Sequence, residues 1–262
     1  VDLTNAICLV TGASAGIGRE TAIALAETGA ILAVCARRKD KLDETLAACR
    51  RHSPTSVAVQ CDVSDSSQVQ QMVDEVTRQL GDIDVLVANA GWGRYAAFDE
   101  ETIETIDSQV KTNILGQMYC THAVLPEMKR RQRGHLVFLS STNGRIPPPM
   151  QSVYNATKFA ALGFGETLSY EVKPFGIGVT IVYPGPIETE FFEAEEFQRM
   201  RKPKLVPARK MADAIVKGIE RNRMDVTLPW ALKIPAKMRA LFPNLIRRGV
   251  GNYAKRSIPR PE

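Results

Sequence analysis

A chain of 262 residues with 44% hydrophobic and 24% charged residues has enough apolar material for a full core, which argues against wholesale disorder. No apolar run approaches the roughly 20 residues needed to cross a bilayer, so a membrane-spanning protein is not expected. The net charge of +5 is uneven: from Arg199 onward 17 Lys+Arg face 4 Asp+Glu, giving +13, and the rest carries −8.

The opening VDLTNAICLVTG runs straight into a strand without a basic region and apolar stretch ahead of it, so no signal peptide is expected. Strand-like runs then alternate with helix-length segments. AICLV (6–10) precedes a helix over about 16–28, ILAVCA (31–36) a helix near 39–49, and SVAVQ (56–60) one near 66–80. DVLVANA (84–90) leads through a loop to one long helix near 102–131, and HLVFLS (135–140) to a helix over 152–172. GVTIVY (178–183) leads to a long excursion and a helix near 207–221, and DVTL (225–228) is a candidate last strand.

The strand runs are short, continuous and rich in Val, Ile and Ala, as in strands buried on both faces. Their alternation with helices predicts one α/β domain. Its core is a doubly wound parallel sheet of about seven strands, Rossmann-type, with helices on both faces. Residues 1–229 are read as the catalytic body, including a substrate lid at 186–206, and residues 230–262 as a basic extension of the same domain. The five cysteines, Cys8, Cys35, Cys49, Cys61 and Cys120, form no CxxC pair. Reduced buried thiols and a cytoplasmic location are expected, and no metal site.

After the first strand comes TGASAGIG, where Gly12, Gly16 and Gly18 let the chain turn tightly at a helix N-terminus. Backbone N–H groups and the helix dipole converge there, which suits a pyrophosphate. The same stretch also matches G-x-S-x-G around Ser14, the nucleophile elbow of a serine hydrolase. That reading needs an acid and then a late histidine. The only histidines are His52, His122 and His135, and no HGGG-like segment is present. After the second strand, an acid would receive the ribose 2′-OH of NAD, whereas arginine would pair with a 2′-phosphate. Arg37 and Arg38 stand there, with no carboxylate, so NADP(H) is expected, with Arg37 as the main contact.

Tyr154 and Lys158 are one helical turn apart and can reach one spot. A phenol with a pKa near 10 exchanges protons poorly at neutral pH. A unit positive charge about 4 Å away, at an effective dielectric constant of about 20, is worth roughly 4 kcal/mol and would bring it toward about 7. A phenol so tuned could protonate a carbonyl or deprotonate an alcohol.

The chain resembles the short-chain dehydrogenase/reductase family. The matching pieces are TGASAGIG (11–18), CDV (61–63), NAG (89–91), KTN (111–113), SS (140–141), YNATK (154–158) and PGPIET (184–189), in family order. The resemblance implies a catalytic group of Asn113, Ser141, Tyr154 and Lys158, with Ser141 preferred to Ser140 for its 13-residue interval to Tyr154. Ser141 would hold the substrate oxygen beside the phenol. Lys158 would bind the nicotinamide ribose, and Asn113 would anchor a water leading to solvent. It further implies a dinucleotide bed of Gly12, Ser14, Gly16, Ile17, Gly18, Arg37, Arg38, Asp62, Val63, Asn89, Gly91, Tyr154, Lys158, Pro184, Gly185, Ile187 and Thr189. Asp62 and Val63 would meet adenine, Asn89 the adenine ribose, and Thr189 and the Ile187 backbone the carboxamide. A homodimer or homotetramer is implied too. Ala156, Ala160, Ala161, Gly163 and Gly165 would give small surfaces for close approach to the 102–131 helix or its copy.

The substrate end is expected to involve Trp92, Tyr95, RIPPPM (145–150) and Tyr183, with Phe191, Phe192 and Phe197 of the lid covering an apolar ligand. A hydrophobic ketone or secondary alcohol is the leading substrate. A 3-oxoacyl-thioester reductase and a catalytically silent dinucleotide-binding regulator are the alternatives. No nucleic-acid partner is expected. The tail over 230–256 mixes Trp230, Leu232, Ile234, Met238, Leu241, Phe242, Leu245 and Ile246 with seven basic residues. It would suit the surface of an anionic membrane or a neighbouring subunit.

Overall fold

The computed structural model describes residues 1–192 and 204–257. Seven parallel strands form the main sheet among them: β1 (Ile7–Thr11), β2 (Ile31–Ala36), β3 (Val57–Gln60), β4 (Val85–Ala88), β5 (Gly134–Leu139), β6 (Ile177–Pro184) and, last in the chain, β9 (Asp225–Leu228). Two short strands, β7 (Ile187–Glu188) and β8 (Val206–Pro207), pair separately. The sheet order is β3-β2-β1-β4-β5-β6-β9. The chain winds outward in both directions from β1 and β4, leaving a crevice above their carboxyl ends.

Side-chain alternation explains why both faces are covered. Along β1, Cys8 and Val10 join the core beneath α1 (Gly16–Glu27) and α7 (Ala208–Glu220), where Leu25, Ile215 and Ile219 are buried. Ile7 and Leu9 point the other way. They join Met72 of α3 (Ser66–Leu80), Met128 of α5 (Gly116–Arg131) and Leu168 of α6 (Ser152–Val172). α2 (Lys39–Arg50) sends Leu42 and Cys49 into the first of these cores, on the α1 side.

The expected helix over 102–131 is not continuous. It runs as α4 (Ile103–Val110), a wide π-turn (Lys111–Leu115) and then α5. Such single-turn widenings often mark functional positions, and this one carries Asn113, which is fully buried. Gly116 follows because Val63 lies against it: a Cβ there would come within 2.8 Å of Val63 Cγ2.

The two glycines of α6 do different things. A Cβ on Gly165 would press on Ile181 and Phe138 at 3.0 Å, so this residue seats the helix on the sheet rather than on the 102–131 segment. Gly163 faces open space and shares the exposed side of α6 with Ala156 and Ala160, whereas Ala161 is buried.

The tail folds into α8 (Lys233–Leu241) and α9 (Pro243–Ser257), separated at Phe242 and restarted by a proline in the first helical position. Arg239 of α8 donates to the carbonyl of Arg145 and lies over the Phe159 ring, 5.0 Å from its centroid. Leu232 lies close to Gly185.

Candidate active site

The turn after β1 is locked in place by its neighbours. Gly12 and Gly16 have φ of +65° and +55°, a backbone region that disfavours side chains. Gly18 has no room for a side chain either, since a Cβ would lie 2.4 Å from the Gly12 carbonyl oxygen. Asn89 holds this turn, its amide donating to the carbonyls of Thr11 at 2.9 Å and Gly12 at 3.2 Å. The Thr11 hydroxyl accepts from the Asn89 and Ala90 N–H groups, at 3.1 Å each. Asn89 is therefore a clamp between β1 and β4, with both amide hydrogens engaged, rather than a free donor aimed at a ribose.

A cleft of about 790 Å³ opens above this turn. Gly12, Ser14, Gly16, Ile17, Gly18, Arg37, Arg38, Asp62, Val63, Asn89 and Gly91 line it on one side, and Ser141, Tyr154, Lys158, Pro184, Gly185, Ile187 and Thr189 on the other. Arg38 donates to Ser14 Oγ at 3.1 Å, and Arg37 stands 3.7 Å from Asp62. Ser14 is thus bonded to a guanidinium, and no histidine lines the cleft among the described residues. His135 is buried at the amino end of β5, bonded to Thr180 at 2.8 Å. The hydrolase reading has no base beside its serine.

Tyr154 and Lys158 project from the first turns of α6 toward the end of β5. Ser140 and Ser141 diverge there. Ser140 donates to the carbonyl of Lys158 at 2.7 Å and pins the helix. Ser141 accepts from the Asn143 N–H at 3.1 Å, donates to the carbonyl of Pro184 at 3.4 Å, and lines the cleft together with Tyr154. Lys158 is 4% exposed and donates to the carbonyl of Leu139 at 2.9 Å. Its Nζ lies 5.4 Å from the centre of the Tyr154 ring.

The electrostatics differ from the sequence expectation. Burial pushes the Tyr154 phenol up to about 12, with the Ser141 side chain pulling weakly the other way. Burial also brings the Lys158 ammonium down to about 8. The cation is aimed at a backbone carbonyl, and the removal of water governs the phenol. A tyrosine lowered toward 7 is not what this geometry gives.

Asn113 does not line the cleft. Its amide donates to Trp92 O at 2.8 Å and Thr157 Oγ1 at 3.0 Å, while its carbonyl accepts from Trp92 N at 2.9 Å. It ties the loop after β4 to α6, leaving no amide hydrogen for a water. Gly91 makes room beside it: a Cβ there would sit 3.1 Å from Asn113 Oδ1 and 3.4 Å from Lys158 Nζ.

At the substrate end, Trp92, Pro148 and Phe191 line the cleft, and the Phe191 ring lies 5.4 Å from that of Tyr154. Tyr95 and Tyr183 do not; both are buried. Tyr183 lies under Arg145, whose guanidinium carbon is 3.4 Å from the ring centre and which pairs with Asp225 at 2.8 Å. Phe197 and the Phe192 side chain lie outside the described residues. Three residues escape sequence reasoning. Asn143 and Gln151 line the cleft and bond to each other at 2.9 Å. Gly93 leaves room for the tyrosine, since a Cβ there would fall 2.4 Å from Tyr154 Cδ2. None belongs to a recognisable motif; only Gly93, two residues beyond NAG, carried a hint.

A family model for short chain dehydrogenases matches residues 6–199. The chain is 36% identical to 11-beta-hydroxysteroid dehydrogenase 1A of Arabidopsis thaliana over 95% of this chain and 75% of that protein. It is 34% identical to 3-ketodihydrosphingosine reductase of Bos taurus, over 78% of this chain and 63% of that protein. A short-chain dehydrogenase/reductase from Burkholderia phymatum, solved with NAD, superposes with a TM-score of 0.87 at 23% identity, covering 94% of this chain and 96% of its own. With sequence, sheet order and cleft in agreement, the chain belongs to the short-chain dehydrogenase/reductase family of oxidoreductases.

Proposed function

We propose that the protein is an NADP(H)-dependent oxidoreductase that reduces a ketone, or oxidises a secondary alcohol, on a hydrophobic substrate, with Tyr154 handling the proton. One observation carries the reading: Ser141, Tyr154 and a buried Lys158 line a single cleft that also holds Arg37 and Arg38. The residues fit a dinucleotide. Gly12, Gly16 and Gly18 would admit a pyrophosphate to the N-terminus of α1, Asp62 and Val63 would flank adenine, and Arg37 and Arg38 would meet a 2′-phosphate. Lys158 would hold the nicotinamide ribose. The bound cofactor supplies or accepts the hydride.

Every other step falls to the chain. Ser141 and Tyr154 would grip the substrate oxygen. As negative charge grows on it, the phenol donates its proton, because an alkoxide is a stronger base than a phenolate. A phenol held at about 12 is protonated throughout the neutral range, ready to donate to the growing alkoxide. Trp92, Pro148 and Phe191 support an apolar substrate, as do relatives named for a hydroxysteroid and a ketodihydrosphingosine. The test is NADPH oxidation across ketones, quinones and acyl thioesters, repeated with NADH. We expect turnover of an apolar ketone with at least about a tenfold preference for NADPH. Turnover of acyl thioesters alone would reassign the enzyme as a 3-oxoacyl-thioester reductase. NADPH binding without any turnover would favour a silent regulator.

The exposed small-residue face of α6 supports assembly as a homodimer or homotetramer. The tail supports a peripheral membrane contact. Trp230, Ile234, Leu241, Phe242 and Leu245 are all exposed, and no acidic residue occurs between Asp225 and Glu262. Among the described residues no helix is long and apolar enough to cross a membrane, so this contact would lie in the plane of the interface. The protein should float with phosphatidylserine vesicles at low salt and be released at high salt. Absence from the floating fraction would remove the membrane contact.

A further inference from the structure

The turn that follows β7 spans both ends of the cleft. Phe191 lies against the tyrosine ring, and its neighbour Glu190 reaches back to the start of α2. Glu190 accepts from Arg38 at 2.8 Å and from Lys41 at 2.5 Å. Arg38 and Glu190 line the same cleft, and Arg38 is steadied by Ser14 of the glycine turn. Arg38 is also one of the two cations that the NADP(H) reading assigns to the 2′-phosphate. A carboxylate of the chain thus already sits on the charge that a phosphate would seek.

We propose that Glu190 is an internal counter-ion of the 2′-phosphate subsite, holding Arg38 and Lys41 until a 2′-phosphate displaces it. The inference rests on the NADP(H) reading and adds a competitor to it. Lys41 and Arg38 hold the Glu190 carboxyl below its ordinary range, so it is an anion at neutral pH. Both ion pairs are substantially exposed, and exposed pairs are individually weak. A phosphate carries more charge and offers three acceptor oxygens, so it can replace the carboxylate. The ligand then binds against a fraction of molecules whose cations are occupied, and its apparent affinity falls by that fraction.

The test is equilibrium titration of the wild-type chain and Glu190→Gln with NADPH, NADH, adenosine 2′,5′-bisphosphate and ADP. Glutamine keeps the size of the side chain and removes its charge at an exposed position. We expect the variant to bind NADPH and the 2′,5′-bisphosphate about threefold to tenfold more tightly, with NADH and ADP unchanged. A wild-type preference for 2′-phosphorylated ligands that the variant leaves unaltered or weakens overturns the inference alone. If neither protein prefers them, the NADP(H) reading fails and the inference falls with it.

Discussion

Tyr154→Phe is expected to lower the turnover of carbonyl reduction by about 10²–10⁴-fold, the usual worth of a positioned proton donor, while NADPH affinity stays within about twofold. The argument is geometric. The ring is held on one side by the space at Gly93 and on another by Phe191, so phenylalanine can keep the same position. Only the hydroxyl is lost. Nothing in the bed assigned to the adenosine and pyrophosphate changes. Stopped-flow hydride transfer and fluorescence titration of NADPH separate the two quantities. Wild-type rates in the variant would eliminate Tyr154 as the acid.

The second large effect combines loss of activity with a pH-dependent gain in stability. Lys158→Met should reduce turnover by about 10²-fold or more, because it removes the ammonium assigned to the nicotinamide ribose beside the reacting end of the cleft. It should also leave the fold at pH 7 as stable as the wild type, or up to about 2 kcal/mol more stable. The amine falls from its ordinary 10.5 to about 8 on folding, through burial. Its folded value therefore lies below its unfolded value. Below pH 8 both states are protonated, and the native state bears the whole cost of enclosing a charge, about 3 kcal/mol at 1.36 kcal/mol per unit. Between pH 8 and 10.5 the unfolded chain retains a proton that the native state has released, so wild-type stability gains as pH rises through that window. Methionine removes the cost but leaves the Leu139 carbonyl without its donor, which returns about 1 kcal/mol. Urea unfolding at pH 7 and pH 10 should show the variant's advantage shrinking at the higher pH. An advantage that grows from pH 7 to pH 10 would contradict the buried-charge account.

These two residues also show what could be read from the chain. The spacing of Tyr154 and Lys158 is a local, helical property, so their shared face was legible. So were the glycines of the first turn, since a strand feeding a helix there restricts the backbone within a few residues. The seven strands were legible because burial on both faces leaves unbroken apolar runs. Protonation behaviour was not legible. It depends on how much water the rest of the molecule removes, and on a carbonyl of β5, 19 positions away, that captures the ammonium. The Arg38–Glu190 pair joins positions 152 apart, and Asn113 contacts a residue 44 positions on. Such pairings follow from the winding of the sheet and leave no periodic trace. The break in the 102–131 helix leaves no mark in the sequence for a related reason: Asn113, at its centre, is held by Trp92 and Thr157, which are distant along the chain.

That widened turn has a mechanical consequence. One surplus residue in a coil of 3.6 per turn rephases everything after it by about 100°. Upstream, α4 buries only Gln109 and leaves Ile103 and Val110 outward. Downstream, α5 lays Cys120, Val124 and Met128 on the sheet. The surplus acts as a gearbox between two shafts: the outer rod can be retoothed for a new neighbour while the inner one keeps its mesh.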